Sequence, residues 1–290
     1  MNKKNIIIIY IFIILELLIL FNSNIIIKSV NSSSLMFIKK IFPSLFPTMV
    51  IGNILIKSNV YLIIPKKIKA FLFKKFNFSN STMELFIISL ITGSPSSAMY
   101  INNYLNSGLI NKKEAEALLC STHFINPLFI VAGVGVGVFN NVKIGFVLFI
   151  MLFISTLIKI YLNKNNFKNS KKKIINIKNT NLITNITSSI KESINGLLLI
   201  FGIVVIFNIL VSLVSHILDL SELASCVING LLEMTGGIIK LSNLNVNIYI
   251  KIFLAYYFLN FGGLCIQMQS MSMIDNKKIR YLKYLIFRLF

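Results

Sequence analysis

The chain alternates long apolar runs with short polar segments, and the run lengths define its elements. The first run, Ile6 to Phe21 and on to Ile27, follows Lys3 and Lys4. A basic start before an apolar run has the outline of a signal peptide. No small-x-small cleavage pattern follows, so residues 1–30 are expected to remain as a membrane anchor helix. The polar patch Asn31 to Ser34 then leads to Phe42-Pro43-Ser44-Leu45-Phe46-Pro47. Prolines suit the first turn of a helix, which predicts a second span reaching about Ile64. Met83 to Leu105 is apolar on both sides of Thr92-Gly93-Ser94-Pro95-Ser96-Ser97. Proline removes a helical hydrogen bond and glycine weakens the turn, so the helix is expected to break at 92–97. Asn111 with Glu114 three residues on is a capping-box pattern and predicts a short amphipathic helix at the membrane surface. Asn126-Pro127 opens a further run to Phe139, in which Gly133 and Gly137 are spaced for close helix packing. Val142 to Leu162 is uninterrupted.

The second half repeats this plan loosely. A polar loop, 163–193, carries the lysine cluster Lys164 to Lys178 and separates the halves. After a span at 194–217 comes a mixed segment, 219–240, with Glu233-Met234-Thr235-Gly236-Gly237. The last run, Ile248 to Ile274, is interrupted by Asn260-Phe261-Gly262-Gly263 and by Gln267-Met268-Gln269-Ser270, and a basic amphipathic tail closes the chain. The reading is an all-α, polytopic helical membrane protein with about six to eight membrane segments at ~20 residues each. Its parts are the anchor at 1–30, a first membrane half at 31–162 with its break at 92–97, the basic loop at 163–193, and a second half at 194–290 with its break at 260–263. From 219 to 274 the path through the membrane has two equally acceptable solutions.

Composition strengthens this picture. Of 290 residues, 56% are hydrophobic and 13% charged, with mean hydropathy +0.79. A soluble domain is about 25% charged, so this chain has too little polar surface to cover a globule in water. The net charge of +20 lies in short lysine runs between apolar segments, the pattern of cytoplasmic loops facing anionic headgroups rather than nucleic acid. If the basic loops at 65–78, 106–118 and 163–194 are all cytoplasmic, a full crossing at 83–105 would put two of them on opposite sides. A hairpin turning at Gly93–Pro95 (a re-entrant segment) removes the conflict and places the N-terminus inside as well.

Candidate chemistry follows from the breaks. Backbone freed at membrane depth must be buried in protein or line a watery cavity, which makes a broken helix a pointer to a binding or conduction site. The candidate substrate-binding residues are Gly93, Ser94, Pro95, Ser97, Asn102, Asn126 and Pro127 in the first half. In the second they are Glu233, Gly262, Gly263 and Gln267. Neutral hydroxyls and amides suit a small polar solute, nucleoside-like or an ion, with Glu233 and Glu16 as candidates for cation coupling. For each polar side chain the competing role is an interhelical hydrogen bond worth ~0.6 kcal/mol. Cys120, Cys226 and Cys265 have no ligand spacing, so neither metal nor cofactor is predicted. Catalysis is not expected either: His123 and His216 are the two histidines, and no hydrolase or metalloprotease motif accompanies them.

Four stretches carry a family resemblance: Phe42 to Pro47, Thr92 to Ala98 continuing through Gly108 to Glu116, Asn126 to Phe129 with its glycine-rich continuation, and Phe261 to Leu264 with Gln267. In this order the chain resembles the YlbJ-type sporulation integral membrane proteins, of the wider nucleoside-recognition (Gate) group. The resemblance implies a multi-pass inner-membrane protein with broken helices and a role in spore formation, and the breaks with their hydroxyls and amides lead to the reading of a transporter or channel-like permease. Where the family usually has Gly-Tyr-Pro, this chain has Gly93-Ser94-Pro95, which removes an aromatic ring from the implied site. The alternative is a structural or assembly protein of the spore envelope that moves nothing. The oligomeric state is left open.

Overall fold

In a bilayer the backbone must pair within its own segment, and helices do this. The computed structural model describes residues 3–122, 124–167, 181–218, 220–274 and 279–289, and among these it is helical with no strand. The chain is a polytopic helical membrane protein. Four helical stretches are long and apolar enough to cross a membrane, at Ser23–Lys57, Val142–Phe167, Leu182–Ile217 and Ile248–Ser272, and shorter apolar helices lie at Asn5–Phe21, Asn80–Thr92 and Glu222–Leu232.

Helix α1 (Lys3–Phe21) leads into α2 (Ser23–Met36), which continues through a π-helical turn (Phe37–Ile41) into α3 (Phe42–Lys57). The polar patch expected to separate two spans is therefore helical. Ser32 and Ser33 donate to the Ser29 carbonyl and Ser34 donates to that of Val30, so the serines satisfy themselves within the helix. The helix ends at Lys57 rather than near Ile64, and Asn59 takes a left-handed φ of 52° beyond it. Helix α4 (Lys66–Phe76) follows, and then α5 (Asn80–Thr92) and α6 (Ser96–Asn106).

Those two helices fold back on each other. Tyr104 OH donates to Glu84 Oε2 at 2.8 Å, although 20 residues of straight helix would span about 30 Å. Helix α7 (Lys112–Ser121) starts with the expected capping box, Asn111 and Glu114 exchanging bonds at 3.0 Å. It is not a surface helix, because Glu114 through Ser121 are all buried. Further on, a π-wound helix (Phe129–Val136) pairs with α8 (Val142–Asn163). The close glycine contact there joins Gly135 to Gly145. A Cβ on Gly135 would lie 2.5 Å from Gly145 Cα, whereas one on Gly133 would meet the Phe129 ring of its own helix. The expected packing role thus falls on Gly135, not on the Gly133/Gly137 pair.

Helix α9 (Leu182–Ile217) runs antiparallel to α2 and α3. Lys57 Nζ pairs with Glu192 Oε1 at 2.9 Å near one end, and Ser212 Oγ donates to Ser29 Oγ at 3.1 Å near the other. The ambiguous segment after it is a second hairpin, α10 (Glu222–Leu232) and α11 (Met234–Asn243). Lys240 Nζ donates to Ser225 Oγ at 2.9 Å, and Gly230 and Gly237 pack backbone to backbone. Helices α12 (Ile248–Phe261) and α13 (Gly263–Ser272) form one span broken at Gly262, and the amphipathic tail forms α14 (Tyr281–Leu289).

Among the described residues four buried clusters hold these elements, the smallest joining α2 to α9 through Ile26, Ile209 and Leu213. One joins the α5–α6 hairpin to α7 and the tail, a second joins residues 124–152 to the second hairpin and α12, and a third joins α3 to α9. Basic segments gather at one end, where Asn77 Nδ2 donates to the Lys164 carbonyl and Lys75 and Lys164 lie over the Tyr161 ring. Most of the lysine cluster, 168–180, is outside the described residues.

Gly135→Ala forces a methyl into the Gly145 backbone and is expected to cost about 1–3 kcal/mol. Gly202, whose Cβ would meet nothing within 4 Å, tolerates alanine without loss. Equilibrium unfolding in detergent separates the two.

Candidate functional site

The two hairpin turns converge with two interruptions, the first between α7 and the π-wound helix (124–128) and the second at Gly262: the turn at 93–95 packs against the first, and the turn at Glu233 against the second. At the first turn Gly93 has φ 72°. A Cβ there would sit 2.5 Å from Asn126 N and 2.9 Å from the Phe124 carbonyl. Glycine is required for both conformation and approach. The Ser94 N–H donates to the Phe124 carbonyl at 2.7 Å, the Ser94–Pro95 peptide is cis, and Pro95 caps α6. Ser94 Oγ and Ser97 Oγ are 3.3 Å apart and buried.

Asn126 closes the first break. Its Oδ1 accepts from the Leu128 N–H at 2.8 Å, and its Nδ2 donates to Thr48 Oγ1 at 3.0 Å and to the Ser44 carbonyl at 3.4 Å. It therefore satisfies the start of the next helix, with Pro127 in the first turn, and ties the break to α3.

In the second half Glu233 is the hairpin turn. Its Oε1 accepts from the Thr235 N–H at 3.0 Å and its Oε2 from the Gly236 N–H at 2.7 Å. The carboxylate thus caps α11, where a negative charge complements the helix dipole. The break of α12 lies against this turn. Gly262 and Gly263 have φ of 77° and 62°, and a Cβ on Gly263 would meet Met234 N at 3.0 Å.

Between these parts lies a cavity of about 50 Å³, with polar walls from Ser44, Ser94, Asn126, Glu233, Thr235 and Gln269 and apolar walls that include Leu45, Phe129 and Val204. Its volume holds one or two water molecules. Among the described residues no lysine or arginine lines it. One capped carboxylate among neutral donors and acceptors favours a neutral or singly cationic polar guest over an anion.

Of the residues singled out by sequence, Ser94, Pro95, Asn126 and Glu233 line the cavity. Gly93, Ser97, Pro127, Gly262 and Gly263 shape the turns and breaks behind it. Asn102, half-buried on α6, is not in its wall. Gln267 turns away as well: its Nε2 donates to the Phe261 carbonyl at 3.2 Å, and its Oε1 accepts from Tyr281 OH at 2.9 Å. Glu16 is exposed on α1, and His123 lies outside the described residues. Among those described, no group of three acidic, histidine or cysteine residues is placed to hold a metal.

Sequence reasoning passed over Ser44 and Thr48, which look like ordinary helix serines and threonines. It also passed over Glu84 and Lys159. Both are buried, and an isolated charge in an apolar run is the signal that marks such residues.

One curated protein similar to this chain is "Sporulation integral membrane protein YlbJ" of Bacillus subtilis (strain 168), 22% identical over 288 aligned positions that cover 86% of this chain and 70% of that protein. The resemblance carried by the four sequence stretches is thus found over most of the chain. No family model matches it, and no solved structure does.

Glu233→Ala leaves the Thr235 and Gly236 N–H groups without their cap, at an expected cost of about 1–2 kcal/mol. Glu233→Gln keeps one acceptor oxygen and costs less. Detergent unfolding curves of the two variants rank them.

Proposed function

We propose that this chain is an integral membrane protein of sporulation that passes a small polar solute, nucleoside-like or an ion, through the point where its hairpin turns and helix breaks meet. The sporulation setting comes from the name of its Bacillus relative. The observation that carries the transport reading is the buried polar cavity between Ser94, Asn126, Glu233 and Gln269, because broken helices at membrane depth serve substrates and coupling ions. A cavity of about 50 Å³ is too small for a nucleoside, so one hairpin must swing away to admit it. Glu233, whose charge is shared with its own helix cap, is the group placed to exchange a coupling cation. In this reading the α5–α6 hairpin is re-entrant, the basic end faces the cytoplasm, and no cofactor takes part.

Two experiments test this. The first is a melting screen of the purified protein against nucleosides, amino acids and monovalent and divalent cations. A bound ligand at a hundredfold excess over Kd stabilises by about 2.7 kcal/mol; Ser94→Ala is expected to remove the shift while leaving the fold intact, and Asn126→Ala to remove it at a cost of about 1 kcal/mol for the lost cap. A flat panel from folded protein, with both variants functional in cells, favours a spore-envelope assembly protein instead. The second is thiol labelling of single cysteines at positions 75, 112 and 181 in whole cells. All three are expected to react only after the cytoplasm is opened; labelling of any one from outside overturns the re-entrant path.

A further inference from the structure

Lys159 lies one turn before the end of α8 and is 5% exposed. Its Nζ donates to Asn260 Oδ1 at 2.8 Å, and the same oxygen accepts from Ser155 Oγ at 3.3 Å. An ammonium has three donors. Among the described residues the bond to Asn260 is its one hydrogen bond, and no carboxylate lies within ion-pair distance. A buried lysine bonded only to one neutral amide has donor capacity left over and no counter-charge beside it.

The place where they can be supplied is a groove of about 580 Å³ with Lys159 in its wall. The remaining wall is almost wholly apolar, formed by Ile154, Ile158 and Leu162 of α8, Tyr256 of α12, and Ile286 and Phe287 of α14. Ile154, Ile158 and Leu162 are 50%, 55% and 67% exposed on a spanning helix, so the groove opens sideways, where acyl chains lie. Lys159 sets the groove's polar end toward the end of α8 where the basic segments gather. Arg280 and Lys283 sit on or next to α14, which forms its far wall.

We propose that this groove binds an anionic phospholipid of the bilayer, with a chain along the α8 wall and the headgroup accepting from Lys159. The pairing of an apolar slot with a basic group between membrane helices is the chemistry that recognises such headgroups. Because Asn260 precedes the Gly262 break, an occupied groove also braces the broken span from its lipid side. The proposal stands on the groove and does not require that the central cavity carry a solute.

Native mass spectrometry of the full-length protein with added phosphatidylglycerol or phosphatidylcholine tests it, alongside melting temperatures. Phosphatidylglycerol is expected to be retained in preference and to raise the melting temperature. Lys159→Gln, which can still donate to Asn260, is expected to weaken that retention roughly fivefold. Ile154→Trp, on the outward face, fills the slot and is expected to displace both lipids, so it decides the matter if Lys159→Gln folds poorly. Equal retention of the two lipids by the natural protein overturns the proposal, and so does undiminished phosphatidylglycerol binding by the tryptophan variant.

Discussion

Every interruption of a helix at membrane depth frees backbone groups that lipid cannot satisfy, and the fold is arranged around supplying their partners. At the first turn the Phe124 carbonyl takes the Ser94 N–H. At the first break Asn126 accepts from Leu128, while Arg288, fully buried, donates to the Leu119 and Cys120 carbonyls at 2.7 and 3.0 Å. At the second turn the Glu233 carboxylate takes two N–H groups, and at the second break Gln267 donates to the Phe261 carbonyl. At each of these interruptions a polar side chain or a distant backbone group supplies the missing partner.

That constraint explains how two halves of dissimilar sequence reach similar arrangements. Each has a hairpin of short helices whose turn rests against a broken helix, through Gly93 on 124–126 in the first and through Gly263 on 232–234 in the second. The same close approaches bring the polar side chains of both halves into one cavity. The cavity is a consequence of the breaks: once backbone at that depth is paired within protein, the side chains beside it face each other rather than lipid. Its small volume follows from how tightly glycine allows the turns to seat.

The charges divide in a similar way. Lysines at the loop end are exposed, stacked on Tyr161 or paired once, as Lys57 is with Glu192. Several of those inside the helix stack have dedicated neighbours: Glu84 with Tyr104, Lys159 with Asn260, and Arg288 with the carbonyl end of α7. An ionisable group held only by a neutral partner is costly to bury, and Lys159 is such a group beside an open apolar groove.

The sequence by itself determined the class of the protein, its membrane location, both breaks and the capping box at Asn111. These depend on local properties: run length, glycine and proline chemistry, and the reach of a side chain over three residues. It misjudged the patch at 31–34, since serines bonded to their own helix are polar in composition but not in effect. It also placed α7 at the surface, where burial of Glu114 depended on Thr82 from another helix donating to it at 3.3 Å. Only the tertiary structure decided that 222–243 is a hairpin, that Gln269 rather than Gln267 lines the cavity, and that Lys159 meets Asn260. Each of these joins residues distant in the chain, or turns on which face of a short helix is covered, and neither is written in any local stretch of sequence.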